Sequence, residues 1–328
     1  MVSSHSSSQR RAGAAGQQAW VFPGQGSQQV GMGSDLYESF PAARRLFQEA
    51  DEVLDLPLSR LCFEGPEETL RQTTNAQPAI MTVSLACLEA AQEAGLLRER
   101  PVAFMAGHSL GEYTALVAAG VLSLADGLRL VRERGRLMQE AGDRIPGAMA
   151  AIMGLAEDKV AKVCHQTGAE VCNLNSPGQV VIGGLTEAVA RAMDLAKAHG
   201  ARQVVRLNVS GAFHSALMRP AADGLAQPIA QTPFSDARVP IVANSSAQPI
   251  ARAEAIKEEL TRQLCRPVLW QRSVEYMIEN GVTAFVEIGP GRVLSSLIRR
   301  IDPGVSIQNI GDAPSIRQEA GSSGRSQW

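Results

Sequence analysis

The chain has 328 residues, 45% of them hydrophobic, which suits one large domain with a smaller one inserted in it. A formal net charge of -2 and a pI near 6.2 exclude any long-range electrostatic argument for nucleic acid or an anionic membrane. The five cysteines, Cys62, Cys87, Cys164, Cys172 and Cys265, have neither C-x-x-C spacing nor disulfide-scaffold density, and with no apolar run near the roughly 20 residues of a membrane span and no secretory h-region, a cytoplasmic protein is expected.

Residues 1–17 are rich in Ser, Arg, Gly, Ala and Gln, with Val2 the one large aliphatic, and read as a flexible leader. No acidic residue precedes Asp35, a feature of organelle transit peptides, but the apolar helical face that should accompany it is missing. From there, β-type runs at 19–22, 102–106, 180–182, 239–242 and 284–288 alternate with longer helical patterns, which argues for an α/β fold with a mainly parallel sheet. Between 147 and 208 the rhythm changes. Strand-like runs at 148–153, 180–183 and 203–208 are separated by helical patterns at 158–165 and 187–199, as in a small inserted strand-helix-strand unit. Residues 312–328, ending in Gly-Ser-Ser-Gly-Arg-Ser-Gln-Trp, read as a loose tail, and no internal repeat is visible.

The run 102–106 is continuously apolar, as a strand buried on both faces would be, and leads straight into Gly107-His108-Ser109-Leu110-Gly111. This is G-x-S-x-G at a strand-to-helix turn, ahead of a helical pattern at 112–119. The glycines permit the sharp backbone that lifts a serine hydroxyl clear and aims the new helix's amides at whatever it attacks. A serine needs a base. His5 lies in the leader, His165 and His199 lie in charged helical patterns, and His108 inside the elbow points away from Ser109. His214 follows a strand in a small-residue loop, where a base can be delivered to the mouth of a sheet.

Ser123-Leu124-Ala125-Asp126 opens the next helix in the manner of a capping box, and the helical pattern runs to about 141. Leu130, Val131, Met138 and Ala141 share one stripe of it, with Arg134 in the middle, whereas Arg129, Arg132 and Arg136 face elsewhere. A snorkelling or salt-bridged arginine is one explanation for Arg134. The other is a guanidinium set in an apolar wall to grip a carboxylate through two parallel N–H bonds.

Taken with Val21-Phe22-Pro23-Gly24-Gln25-Gly26-Ser27-Gln28, Asn173-Leu174-Asn175-Ser176-Pro177-Gly178-Gln179, Gly211-Ala212-Phe213-His214-Ser215 and Glu287-Ile288-Gly289-Pro290-Gly291, these residues strongly resemble the malonyl-CoA:acyl carrier protein transacylases of fatty-acid synthesis and the stand-alone acyltransferases of polyketide synthases. The likeness runs from about Trp20 to Ile301. It implies an α/β-hydrolase-like large subdomain (18–146 and 209–311) and a small ferredoxin-like subdomain (147–208). It also implies a dyad of Ser109 and His214, with the backbone carbonyl of Gln263 orienting the imidazole and the backbone amides of Gln25 and Leu110 forming an oxyanion hole. Arg134 would pair with the malonyl carboxylate, and Phe213 and Met138 would complete the acyl site, the ring of Phe213 leaving little room for an α-methyl branch. The expected activity is ping-pong malonyl transfer from malonyl-CoA to an acyl carrier protein by a monomer, with no metal, no bound cofactor, no nucleic acid and no membrane. An esterase or a proofreading acyl hydrolase would share the elbow, but a neutral ester gives Arg134 no task. A non-catalytic docking protein would lack catalytic groups that are present here.

Overall fold

A computed structural model of the chain describes residues 16–97 and 101–323, and the expected leader therefore lies outside the described residues except for Gly16 and Gln17, the latter opening the first strand. In chain order the strands are β1 (Gln17–Phe22), β2 (Val102–Gly107), β3 (Gly147–Met153), β4 (Glu170–Ser176), β5 (Gln179–Leu185), β6 (Gln203–Arg206), β7 (Ile241–Val242), β8 (Pro249–Ile250), β9 (Val282–Ile288) and β10 (Ser306–Ile310). They form a six-stranded sheet in the order β10-β9-β1-β2-β7-β8 and a four-stranded sheet in the order β4-β5-β3-β6.

All pairs of the large sheet are parallel except β7 with β8. Its central strands are apolar on both faces because both are covered. Trp20 and Phe22 of β1 join one core cluster while Ala19 and Val21 join another, and Met105 and Ala106 of β2 divide the same way. The strand order reverses around β1, and ligands of open parallel sheets bind beyond the carboxyl ends of strands at such a point. The segments after β1, β2 and β7 carry Gln25, Ser109 and Asn244 there.

The small sheet is antiparallel throughout and follows a β-α-β-β-α-β path, the ferredoxin-like arrangement. One face, with Ala150, Ile152, Val180 and Ile182, packs under the helices Glu157–Thr167 and Thr186–Ala198, while Met149, Ala151, Cys172 and Val181 turn to the main core. The sequence pattern anticipates three of its four strands. Strand β4 escapes because Asn173 and Asn175 interrupt its apolar residues, although both are buried.

The C-terminal segment departs from expectation. By its composition the stretch 312–328 reads as a loose tail, yet Ala313–Ser323 is a helix with Ala313 and Ile316 packed into the main core. Asp312 Oδ1 accepts from Ser315 N at 2.8 Å, and Asp35 Oδ2 accepts from Ala313 N at 2.7 Å. The Gly-Ser-rich end hides this start signal and the single aliphatic anchor behind it. Residues 324–328 lie outside the described residues.

Candidate active site

The elbow lies between the end of β2 at Gly107 and the helix Leu110–Ala118, and a strained residue bridges them. Ser109 has φ 54° and ψ -103°, a sparsely populated region that costs of order 1–3 kcal/mol and persists only where surroundings enforce it. Here they do. A Cβ on Gly107 would stand 1.8 Å from the carbonyl carbon of Gly111. Asn244 spans the turn, its Oδ1 accepting from Ser109 N at 2.7 Å and its Nδ2 donating to Gly107 O at 2.7 Å.

Ser109 Oγ lies 2.7 Å from His214 Nε2, and His214 Nδ1 lies 2.9 Å from the backbone oxygen of Gln263, the last residue of the helix Ala253–Gln263. A carbonyl can only accept, so Nδ1 carries the ring proton and Nε2 presents its lone pair to the serine hydroxyl. Burial, and after it the charge of Arg134, pushes the imidazole down to about 3. The ring is therefore neutral near pH 7. His214 itself has φ 62°, in a loop pinned by Ser215 Oγ donating to Ala212 O at 2.6 Å.

Arg134 projects from the helix Leu124–Arg144, whose first turn is capped by Ser123 Oγ accepting from Asp126 N at 3.0 Å. The side chain is 1% exposed and is neither snorkelling nor salt-bridged. Its Nη2 donates to Ser109 Oγ at 3.0 Å and to Gln263 Oε1 at 2.9 Å, and its Nη1 to Gln77 Oε1 at 2.8 Å. The guanidinium also sits over the Tyr113 ring, 5.3 Å from its centroid. Met138 joins this cluster through Gln77, whose Nε2 donates to its sulfur at 3.3 Å.

Gln25 reaches the site on the loop after β1, which lies so close to the elbow that a Cβ on Gly24 would stand 2.4 Å from His108 O. Its side chain donates to Thr73 Oγ1 at 3.3 Å. Among the described residues, neither the Gln25 nor the Leu110 backbone N–H has an acceptor. Phe213 is buried in the main core beside His214. His108 points away from Ser109, its Nε2 2.9 Å from Asn175 Oδ1 and its ring 5.8 Å from that of Trp270.

Sequence reasoning missed Gln77, Asn244, the Gln263 side chain and Glu112. The Glu112 carboxylate accepts from Gln263 Nε2 and, at 3.1 Å, from Asn244 N. A signal existed for one of them: Glu112 is the one charge in a helix that is otherwise uncharged, and it lies in that helix's buried first turn.

With this geometry in view, residues 19–316 match the family described as acyl transferase domain. The chain is 46% identical over 303 residues to the malonyl CoA-acyl carrier protein transacylase of Bacillus subtilis strain 168, covering 91% of this chain and 94% of that protein. Among solved structures it resembles the acyl-carrier-protein-S-malonyltransferase of Bartonella henselae, with a TM-score of 0.89, 42% identity, and coverage of 94% of this chain and 99% of that one. It is equally similar, at a TM-score of 0.89 and 43% identity over 93% of this chain and 99% of the other, to a malonyl-transacylase in complex with its type II PKS acyl-carrier protein.

Proposed function

This chain belongs to the acyl transferase domain family, and from that premise we propose how it transfers a malonyl group from malonyl-CoA to the phosphopantetheine thiol of an acyl carrier protein. The observation that carries the reading is the line Gln263 O, His214, Ser109 Oγ with Arg134 donating to the same hydroxyl. Ser109 Oγ attacks the thioester carbonyl while its proton passes to His214 Nε2, and the imidazolium formed is held by the Gln263 carbonyl. The C–S bond then breaks, coenzyme A leaves with that proton on its sulfur, and a malonyl-Ser109 ester remains. The carrier thiol reverses these steps: His214 takes its proton, sulfur attacks the ester carbonyl, and Ser109 leaves protonated.

The N–H groups of Gln25 and Leu110 are the proposed oxyanion donors, free of other acceptors among the described residues. Arg134 would take the free malonyl carboxylate, and Phe213 and Met138 would bound the acyl chamber. One methyl group is worth only about 1–3 kcal/mol of discrimination, so selection against a branched acyl group would be incomplete. Every proposed catalytic group lies in the large subdomain (18–146 and 209–311), and the small one (147–208) borders the elbow through Asn175. We place the reaction in a reducing cytoplasm, since all five cysteines are free.

Intact-protein mass spectrometry after brief exposure to malonyl-CoA or acetyl-CoA tests this. Wild type should gain one malonyl group, Ser109→Ala none, and Arg134→Ala should shift loading from malonyl toward acetyl. Wild type that prefers acetyl, or whose adduct drains to water as fast as to a carrier thiol, would sink the malonyl-transfer reading.

A further inference from the structure

Arg134 is a cation 1% exposed, and its three hydrogen bonds all go to neutral acceptors, Gln77 Oε1, Gln263 Oε1 and Ser109 Oγ. A buried charge without a counter-charge is strongly destabilising. Burial pushes the guanidinium down, and against it act Tyr113 and then Glu112, the latter likewise 1% exposed and sharing no hydrogen bond with Arg134. Between Arg134 and Glu112 stands the Gln263 amide, its Oε1 turned to Arg134 and its Nε2 to Glu112 Oε2 and, at 3.0 Å, to Ser109 O. That amide has two orientations of nearly identical shape, and only this one places an acceptor against the cation and a donor against the anion. The other carboxylate oxygen accepts from Asn244 N, and Asn244 in turn bridges Gly107 O and Ser109 N. Glu259, the acidic neighbour, is engaged by Ser245, accepting from its N at 2.8 Å and from its Oγ.

We propose that Glu112 is a positioning residue for the acyl carboxylate: by accepting from Gln263 Nε2 it locks that amide with Oε1 toward Arg134, and so holds the guanidinium without occupying the fork that the substrate needs. A carboxylate bonded directly to Arg134 would compete with the malonyl group. Relayed through a neutral amide, the Glu112 carboxyl fixes the acceptor that faces the cation and leaves the guanidinium receptive. Burial, and next Glu259, pushes the Glu112 carboxyl well above its ordinary value in spite of Gln263, Asn244 and Arg134, so its part in the lock rests on the two acceptor oxygens it presents. The two donors on its two oxygens are those expected of a carboxylate.

The inference rests on the malonyl-transfer reading, and the experiment separates the two. Malonyl and acetyl loading of the full chain are measured as kcat and KM for wild type, Glu112→Gln, Glu112→Asp, Arg134→Ala and the Glu112→Gln/Arg134→Ala double variant. Glu112→Gln keeps the shape but adds an NH2 where an acceptor stood, so the Gln263 amide loses the Glu112 part of its lock and keeps only Ser109 O as acceptor for Nε2. The malonyl-to-acetyl ratio should fall roughly tenfold, mainly through malonyl KM, with acetyl kcat changed less than about threefold. Glu112→Asp, which retains the carboxylate, should recover part of the ratio, and it serves as the readout should Glu112→Gln fold poorly. In the Arg134→Ala background Glu112→Gln should leave the ratio where it was, because the clamp it positions is gone. An unchanged ratio in Glu112→Gln, an equal loss of malonyl and acetyl loading, or the same ratio change with and without Arg134 would overturn the proposal while the malonyl-transfer reading stands. Wild type that does not load malonyl would overturn both.

Discussion

At the scale of single residues, the state of His214 governs the chemistry. An imidazole in water is half protonated near pH 6.5, and a protonated base cannot take the serine proton. Burial and then Arg134 hold His214 down at about 3, so the neutral, competent form persists well into acid. The acid limb of the pH profile for acetyl loading should accordingly lie far below 6.5 in wild type. Removing the guanidinium removes a repulsion against the charged ring, so Arg134→Ala should move that limb upward, toward 6.5. Acetyl-CoA is the substrate of choice because it needs no carboxylate clamp. A limb that stays in place or moves further into acid in Arg134→Ala would show that the arginine charge does not act on the base. Ser109, His214 and Arg134 could be picked out of the sequence because each breaks a local rule: a serine between glycines at a turn, a histidine in a small-residue loop, a cation in an apolar stripe. Gln77 and Asn244 break none, since a neutral amide fits a helix or loop without disturbing any period, and their value lies in partners about 57 and 135 residues away.

At the scale of elements, two turns meet to make the site. The loop after β1 approaches the elbow after β2 within a distance that leaves no room for a side chain at Gly24. Gly24→Ala must push the loop from His108 O, and with it the Gln25 N–H, while the Ser109–His214 pair stays intact. Loss of one oxyanion donor lowers turnover by roughly 100- to 1,000-fold. Displacement by a fraction of an ångström should cost about tenfold or more in kcat, with malonyl-CoA KM nearly unchanged, in steady-state kinetics. A rise in KM at constant kcat would mean that the loop binds substrate in its ground state instead. The strands flanking these turns could be read from sequence because burial on both faces makes β1 from Ala19 onward and β2 continuous apolar runs. The edge strand β10 and the asparagine-bearing β4 are polar where they are paired or bonded, and there hydrophobic patterning has nothing to report.

At the scale of the molecule, the two subdomains are joined by bonds of very unequal worth. Strand β4 pairs in parallel with Val268: Leu174 N donates to Val268 O and Val268 N to Cys172 O, each at 2.9 Å. The segment that makes this joint begins at Gln263, so one short stretch orients His214 at one end and anchors the small sheet at the other. Side-chain links accompany it, among them the half-buried His108–Asn175 bond, Glu170 accepting from Ala216 N, Arg300 donating to Gln179 Oε1, and the exposed Arg272–Glu157 pair at 2.7 Å, with side chains 52% and 50% exposed. An exposed ion pair contributes about 0–1 kcal/mol, whereas a buried polar group stripped of its partner costs about 1–3 kcal/mol. Asn175→Leu strands the His108 ring nitrogen against Trp270 and should lower Tm by roughly 2 to 5 °C for a chain of this size. Arg272→Ala should lower it by less than about 1 °C. Because His108 also backs the Gln25 loop, Asn175→Leu should slow malonyl loading as well, and Arg272→Ala should not. Equal melting shifts in the two variants would mean that the elbow histidine contributes no more to the joint than an exposed ion pair does.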